Sequence, residues 1–150
     1  RAEKDTGIMI RDQALLDELL ATIRRFVDKR LIPAEPVVEE TNAIPADILA
    51  EMKTLGLFGM SIPEDYGGLG LTMEEEVMAA LELGRTSAAF RSVFGTNNGI
   101  GSQGIIADGT EAQKTYWLPR MASGEVIGSF ALTEPDTGSD AGSITTSARR

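Results

Sequence analysis

Apolar residues recur near the start of the chain at Leu16, Leu20, Ile23, Val27 and Leu31, with Leu15, Leu19 and Phe26 beside them. Steps of three and four place these side chains on one face of a helix, so the pattern predicts an amphipathic helix from Gln13 to Leu31, capped by Asp12. Pro33 and Pro36 interrupt it, and Glu35 to Asn42 fits a short further helix. A second clear helix opens at Pro45, carries Ile48, Leu49, Met52 and Leu55 inward, and stops at Gly56 as its C′ residue. The next stretch, Leu57 to Gly70, is punctuated by Pro63, Gly67, Gly68 and Gly70 and reads as a loop.

Thr72 with Glu75 has the spacing of a capping box and opens a helix through Val77, Met78 and Leu81 toward Arg85. Glu74, Glu75 and Glu76 fall where the helix dipole favours negative charge. Ser87 to Asp108 reads as one more helix, rich in glycine and ending at Gly109. Thr110 with Gln113 is a second capping box; the helix it opens carries Tyr116, Trp117 and Leu118 and ends at Pro119 and Gly124. Tyr116 and Trp117 read as core or interface aromatics.

Past Gly124 the texture changes. Val126 to Thr133 is a compact run with β-branched and aromatic residues, followed by a Pro/Gly/Ser/Asp turn and a second strand-like run, Ile144 to Ala148. Two strands do not make a stable sheet alone, so the chain reads as cut inside a second domain, with Arg149-Arg150 not a natural end. The fold class is α+β: an N-terminal all-α helical domain of five to six helices over residues 1–125, then the first strands of a β-domain over residues 126–150.

Composition sharpens this mainly by exclusion. Hydrophobic residues are 42% and charged residues 25% of the 150, a globular balance able to fill a core. Fourteen basic against 23 acidic residues leave a net charge of −9, which argues against nucleic acid and anionic membrane as partners. A polyphosphate ligand must then be held by local neutral donors. The absence of Cys and His removes thiol nucleophiles, thiolate zinc sites, Ser-His triads and histidine acid–base work, and no metal site is expected. No stretch approaches the roughly 20 apolar residues of a membrane span, and Arg1 to Ile10 has no apolar signal-peptide core. The expected location is cytoplasmic or another soluble intracellular compartment.

Two segments invite chemistry. Gly99-Ile100-Gly101-Ser102-Gln103-Gly104 spells G-x-G-x-x-G, but a dinucleotide fingerprint needs a preceding strand and a βαβ context, and these glycines lie within a predicted helix. Close helix packing or a pocket lining is the better reading. The segment Phe130-Ala131-Leu132-Thr133-Glu134-Pro135-Asp136-Thr137-Gly138-Ser139-Asp140 ends a strand in a turn whose hydroxyls and backbone N–H groups can hold an anion or a heterocycle without basic side chains. By composition alone it is more often just a surface turn.

The same segment resembles the signature of the acyl-CoA dehydrogenase family: Ala131-Leu132-Thr133-Glu134-Pro135, then Gly138-Ser139-Asp140. Three further segments agree in order and spacing: Leu55-Gly56-Leu57-Phe58-Gly59, Ile62-Pro63-Glu64-Asp65-Tyr66-Gly67-Gly68-Leu69-Gly70, and Gly109-Thr110-Glu111 continuing through Gln113-Lys114 to Tyr116-Trp117-Leu118-Pro119. The resemblance covers essentially the whole chain. It implies a helical domain, a central β-barrel-like domain and a C-terminal four-helix region, with FAD between the latter two and the acyl chain reaching between helices. The implied reaction is α,β-dehydrogenation of an acyl-CoA thioester to the trans-2-enoyl-CoA, a glutamate taking the α-proton while hydride leaves Cβ for the flavin.

On that resemblance Phe130, Ala131, Leu132 and Thr133 are cofactor-binding, with Phe130, Leu132 and Thr133 along the flavin ring and the Thr133 hydroxyl hydrogen-bonded to it. Gly138 and Ser139 meet the FAD diphosphate, Ser139 also the CoA part of the substrate. Thr137 departs from the pattern, where the family carries Gly, Ala, Ser or Asn. The family's catalytic glutamate lies beyond this chain, so no catalytic residue is assigned here and the chain alone is expected to be inactive. Glu64, Glu74, Glu75, Glu76, Glu82 and Glu134 take solvated or capping roles. Phe90-Arg91-Ser92 resembles the Tyr-Arg-Ser of the glutaryl-CoA dehydrogenase branch, where the arginine pairs with a substrate carboxylate; otherwise Arg91 is a solvated or domain-contact arginine, the favoured reading. The implied partners are an acyl-CoA substrate, electron-transfer flavoprotein and further copies of the chain in a dimer or tetramer, in fatty acid or amino acid catabolism. Two rivals stand beside this reading: a flavin acyl-CoA oxidase or related flavoprotein on the same scaffold, and a non-catalytic helical binding domain.

Overall fold

The structure, a computed structural model, describes residues 10–149, so the expectations about residues 1–9 and Arg150 lie outside the described residues. Asp12 opens the first helix, α1 (Gln13–Phe26), by accepting the Ala14 and Leu15 amides at 2.9 and 3.1 Å. The two prolines do not break the rod as the sequence suggests. A π turn, Val27–Leu31, widens it, and the Ile32 N–H reaches back to the Val27 carbonyl before α2 (Ile32–Thr41) continues. Widening accommodates the missing N–H of Pro33. Asn42, in the left-handed region at φ 52°, ends the rod.

After α3 (Ala46–Thr54) and Gly56 come α4 (Met73–Leu83), α5 (Ala88–Thr96), a π turn Asn97–Gly101, α6 (Gln103–Asp108) and α7 (Glu111–Ala122). Both capping boxes form: the Thr72 and Thr110 hydroxyls accept the Glu75 and Gln113 amides, and those side chains return to the cap N–H groups. The described segments join into five rods, because π turns link α1 to α2 and α5 to α6. The predicted single helix Ser87–Asp108 is therefore interrupted. α7 corrects another expectation, since Pro119 lies inside it and the helix runs on to Ala122.

The larger core gathers Ile23, Phe26, Val27 and Leu31 from the first rod, Met52 from α3, Leu83 from α4, and Phe90 and Phe94 from α5. The segment read as a loop adds Leu57, Phe58 and Met60 to it, and its Ile62 joins a smaller cluster with Leu118, Met121 and Ala122. Leu57, Phe58 and Ile62 are 0% exposed, and Phe58 meets Phe94 edge-on at 6.2 Å. A buried irregular segment must satisfy its own backbone. Here the Leu69, Gly70 and Leu71 N–H groups return to the Gly59, Ile62 and Met60 carbonyls at 2.8, 2.9 and 2.7 Å. That fold-back needs Gly68, where a Cβ would lie 2.0 Å from the Ile62 carbonyl oxygen. Gly124, at φ +69° and with a Phe58 ring carbon 2.9 Å from where its Cβ would be, closes the same core from beyond α7.

Glu75 is buried at 2% exposure. Burial is the strongest influence on its carboxyl and pushes its pKa up, but the Thr72 and Arg11 amides and the Arg11 guanidinium together outweigh it and hold the pKa below the usual range. Arg11 also donates to Glu64 at 2.9 Å, tying the chain ahead of α1 to the folded-back segment. The outward face of α4 carries Met73, Val77 and Leu81, all more than half exposed, while Ala79 and Leu83 face inward.

Helix ends at Ala122, and the expected strand over 126–133 finds no partner; among the described residues the one antiparallel pairing is the Glu134–Thr137 bridge. A strand needs neighbours to satisfy its backbone, and no described segment supplies them. No helix of the described residues is long and apolar enough to cross a membrane. Phe58→Ala is expected to cost about 3–5 kcal/mol, read as a fall in the urea midpoint of the full-length protein. A loss under about 1 kcal/mol would show that the folded-back segment is not core.

Candidate functional site

The helical domain is fastened to the signature segment through a broken helix. At Gly99 the backbone leaves helical geometry (φ −111°, ψ −108°), and the two residues just before it, Asn97 and Asn98, are buried. Their amides tie the broken rod to its neighbours. Asn97 Nδ2 donates to the Met121 and Val126 carbonyls at 3.0 and 2.9 Å, and its Oδ1 accepts the Gly128 N–H at 2.7 Å. Asn98 Nδ2 donates to the Leu57 carbonyl and, at 3.3 Å, to the Phe94 carbonyl, while the Ser61 hydroxyl donates to the Asn98 carbonyl. Ser102, fully buried beyond the kink, keeps its hydroxyl without a protein partner among the described residues. Sequence reasoning missed this trio. The available signal was Asn97-Asn98-Gly99, three poor helix formers in a row within a predicted helix.

The G-x-G-x-x-G string lies across the π turn and α6, with no strand before it among the described residues, which leaves the dinucleotide reading without its context.

From Gly128 the chain runs out to the signature turn. Phe130 and Leu132 are 56% and 38% exposed, and Ala131, Thr133, Gly138 and Ser139 are exposed with them. The turn closes on itself: the Glu134 N–H donates to the Thr137 carbonyl at 2.8 Å and the Thr137 N–H to the Glu134 carbonyl at 3.2 Å. Thr133 and Gly138 face one another across it, since a Cβ at Gly138 would lie 3.9 Å from Thr133 Cγ2. The departing residue Thr137 fits by donating its hydroxyl to the Ser143 carbonyl at 3.3 Å. An uncovered Phe and Leu beside hydroxyls and turn amides suit a flat, largely apolar ring with polar edges and an anionic tail. The residues present therefore fit a flavin nucleotide.

Arg91 is exposed on α5, apart from this turn in sequence, and its guanidinium lies along the helix over Gly95, where a Cβ would meet Nη1 at 3.5 Å. Among the described residues it makes no ion pair within 4.0 Å, unlike Arg11, Arg24, Arg30, Arg85 and Arg120. Its charge is felt by Glu76 on α4, whose pKa burial raises and Arg91 partly restores.

Glu64, Glu75, Glu82 and Glu134, singled out in the sequence, have structural partners. Glu64 pairs with Arg11, Glu82 with Arg24 and Arg85, and Glu75 is the buried cap. The Glu134 carboxylate accepts the Thr145 N–H, the Thr145 hydroxyl and the Thr146 N–H at 3.0, 2.8 and 2.8 Å. The Thr146 side chain, these amides and the Thr145 hydroxyl bring its pKa down to about 2. Tyr116 and Trp117 are 52% and 40% exposed and stack edge-on at 4.8 Å, which removes the core reading and leaves the interface one.

Residues 15–125 match the family model described as acyl-CoA dehydrogenase, N-terminal domain. The chain belongs to the acyl-CoA dehydrogenase family. It is similar to an acyl-CoA dehydrogenase of Bacillus subtilis (strain 168), 39% identical over 126 residues, covering 84% of this chain and 33% of that protein. Among solved structures it resembles a glutaryl-coenzyme A dehydrogenase in complex with glutaryl-CoA, with a TM-score of 0.77 at 31% identity, covering 91% of this chain and 35% of that one. It also resembles an acyl-CoA dehydrogenase complexed with FAD from Bacillus anthracis, with a TM-score of 0.74 at 33% identity over 89% of this chain and 23% of that one. The chain thus spans about a third or less of the length of these relatives.

Glu134 supplies a test of the turn. Its folded pKa lies below the ordinary glutamate value of about 4.3, so the ionised carboxylate stabilises the turn fully above that pH and the contribution is lost as pH falls through about 2. The Thr146 amide shift, followed by NMR in the full-length protein, should titrate with a midpoint near 2. A midpoint near about 4.3 would mean that the carboxylate does not hold the turn.

Proposed function

We propose that the complete protein is an FAD-dependent dehydrogenase that converts an acyl-CoA thioester to the trans-2-enoyl-CoA and passes the electrons to an electron-transfer flavoprotein. The observation that carries this reading is the uncovered run Phe130 to Thr133 ending in the self-closed turn with Gly138 and Ser139, in a chain of this family. Residues 1–125 serve as the helical domain and residues 126–150 begin the β-domain. The protein works as a soluble homo-oligomer, a dimer or tetramer, in fatty acid or amino acid breakdown.

FAD, when bound, supplies the acceptor for hydride from the substrate's Cβ. The chain's own residues bind and orient. Phe130, Ala131 and Leu132 would cover apolar surface of the cofactor and exclude water, and the Thr133 hydroxyl would donate to a polar group of it, where a preorganised donor favours developing negative charge. Gly138 and Ser139 offer amides and a hydroxyl to phosphate oxygens, Ser139 also to the CoA part of the substrate, which suits a chain with net charge −9. None of the glutamates described above is assigned as the proton-abstracting base, and the 150 residues alone are expected to turn over no acyl-CoA.

Thr133→Val keeps the shape and removes the hydroxyl, leaving a desolvated flavin edge unpaired at a cost of about 1–3 kcal/mol. FAD affinity or the single-turnover reduction rate should fall roughly ten- to hundredfold. Ser139→Ala should chiefly weaken FAD or CoA-ester binding. If both variants stay within about twofold of wild type, the turn is only a turn and a non-catalytic helical domain becomes the better reading; rapid oxygen consumption by the reduced wild type would instead favour an acyl-CoA oxidase.

Arg91, exposed and without an ion pair within 4.0 Å among the described residues, supports a finer reading, a substrate whose acyl chain ends in a carboxylate. Arg91→Lys in the full enzyme should weaken a dicarboxylyl-CoA by about 1.5–3 kcal/mol and barely change a monocarboxylic acyl-CoA, as read from kcat/KM for the pair. Equal losses on both would leave Arg91 a structural role.

A further inference from the structure

We propose that Asn97 is a positioning residue for the flavin-contacting segment, a role that rests on the reading of Phe130 to Thr133 given above. Asn97 is 0% exposed and uses its whole amide on α7 and the chain that leaves it: two donors to the Met121 and Val126 carbonyls and one acceptor for the Gly128 N–H. The Val126 N–H is held from the other side by the Arg120 carbonyl at 3.1 Å. Beyond Gly128, residues 129–149 make no hydrogen bond to the helices among the described residues, and their hydrogen bonds are internal to the turn unit. The Asn97 amide is therefore the last fixed point before the site.

Geometry at Gly128 reinforces this. A Cβ there would lie 2.9 Å from Met121 Cε, 3.3 Å from Gly101 Cα and 3.6 Å from Asn97 Oδ1, so the segment runs tight against the broken helix. An asparagine suits the task because a single planar amide both donates and accepts. Placed just ahead of the break at Gly99, it ties the direction of Phe130 and Thr133 to the helix rather than to a flexible linker. Displacing a binding group by about 1 Å can cost on the order of a hundredfold, so the tie bears on function.

The test uses the full-length protein and compares Asn97→Ala with Met52→Ala, a truncation in the part of the core formed by α3. Both should lower the thermal midpoint. FAD binding, followed by flavin fluorescence, should weaken about tenfold in Asn97→Ala alone, with a shifted flavin absorbance band. Gly128→Val, which pushes the segment off the helix and leaves Asn97 intact, should do the same and serves if Asn97→Ala does not fold. FAD affinity within about twofold of Met52→Ala for Asn97→Ala, or of wild type for Gly128→Val, would overturn the proposal. If Thr133→Val is also without effect, the reading of the segment as a flavin site has failed; if Thr133→Val weakens FAD and these variants do not, only the role of Asn97 has failed.

Discussion

Where the glycine-rich rod breaks at Gly99, two adjacent asparagine amides lie buried, and main-chain groups from distant segments satisfy them. An unpaired buried polar group costs about 1–3 kcal/mol, so the arrangement holds only because Asn97 and Asn98 meet the right carbonyls. Each points a different way. Asn98 binds the folded-back segment through Leu57 and Ser61, and Asn97 binds the chain beyond α7. Through this pair the core of the helical domain and the start of the signature segment share one anchor.

That anchor explains why an irregular stretch can sit at the centre of the fold. Leu57 to Gly70 buries Leu57, Phe58, Met60 and Ile62 without helical periodicity, and its backbone is satisfied by internal return bonds and by Asn98. Close approach is what its Gly68 provides, against the Ile62 carbonyl. At the edges, charge does the fastening: Arg11 joins Glu64 to the buried Glu75, and Arg24 and Arg85 share Glu82.

The capping signals were legible in the sequence, whereas the continuation of helix through Pro33, Pro36 and Pro119 and the long-range ties were not. The Asp12 cap, the two capping boxes and the Gly56 stop depend on residues a few positions apart, and all appear as read. The burial of the loop and the ties at the kink depend on partners tens of residues away, as with Asn98 and Leu57. The strand over 126–133 is a third kind of case, since no described segment lies alongside to pair with it. For the candidate site, the segment Phe130 to Ser139 was proposed from its resemblance to the family, whereas the ties made by Asn97 reach Met121, Val126 and Gly128, and Asn97-Asn98-Gly99 signalled only a weak point in a helix.

On the proposed reading, this acidic chain meets a flavin nucleotide with neutral donors and apolar surface, for which Phe130, Leu132 and Thr133 are exposed. Amide hydrogen exchange across residues 129–140 of the full-length apoprotein, with and without added FAD, tests this most directly. The account predicts that exchange in this segment slows on FAD addition while the core around Leu31 and Met52 is unchanged. Equal exchange in residues 129–140 with and without FAD, in protein shown by fluorescence to have bound it, would contradict the account.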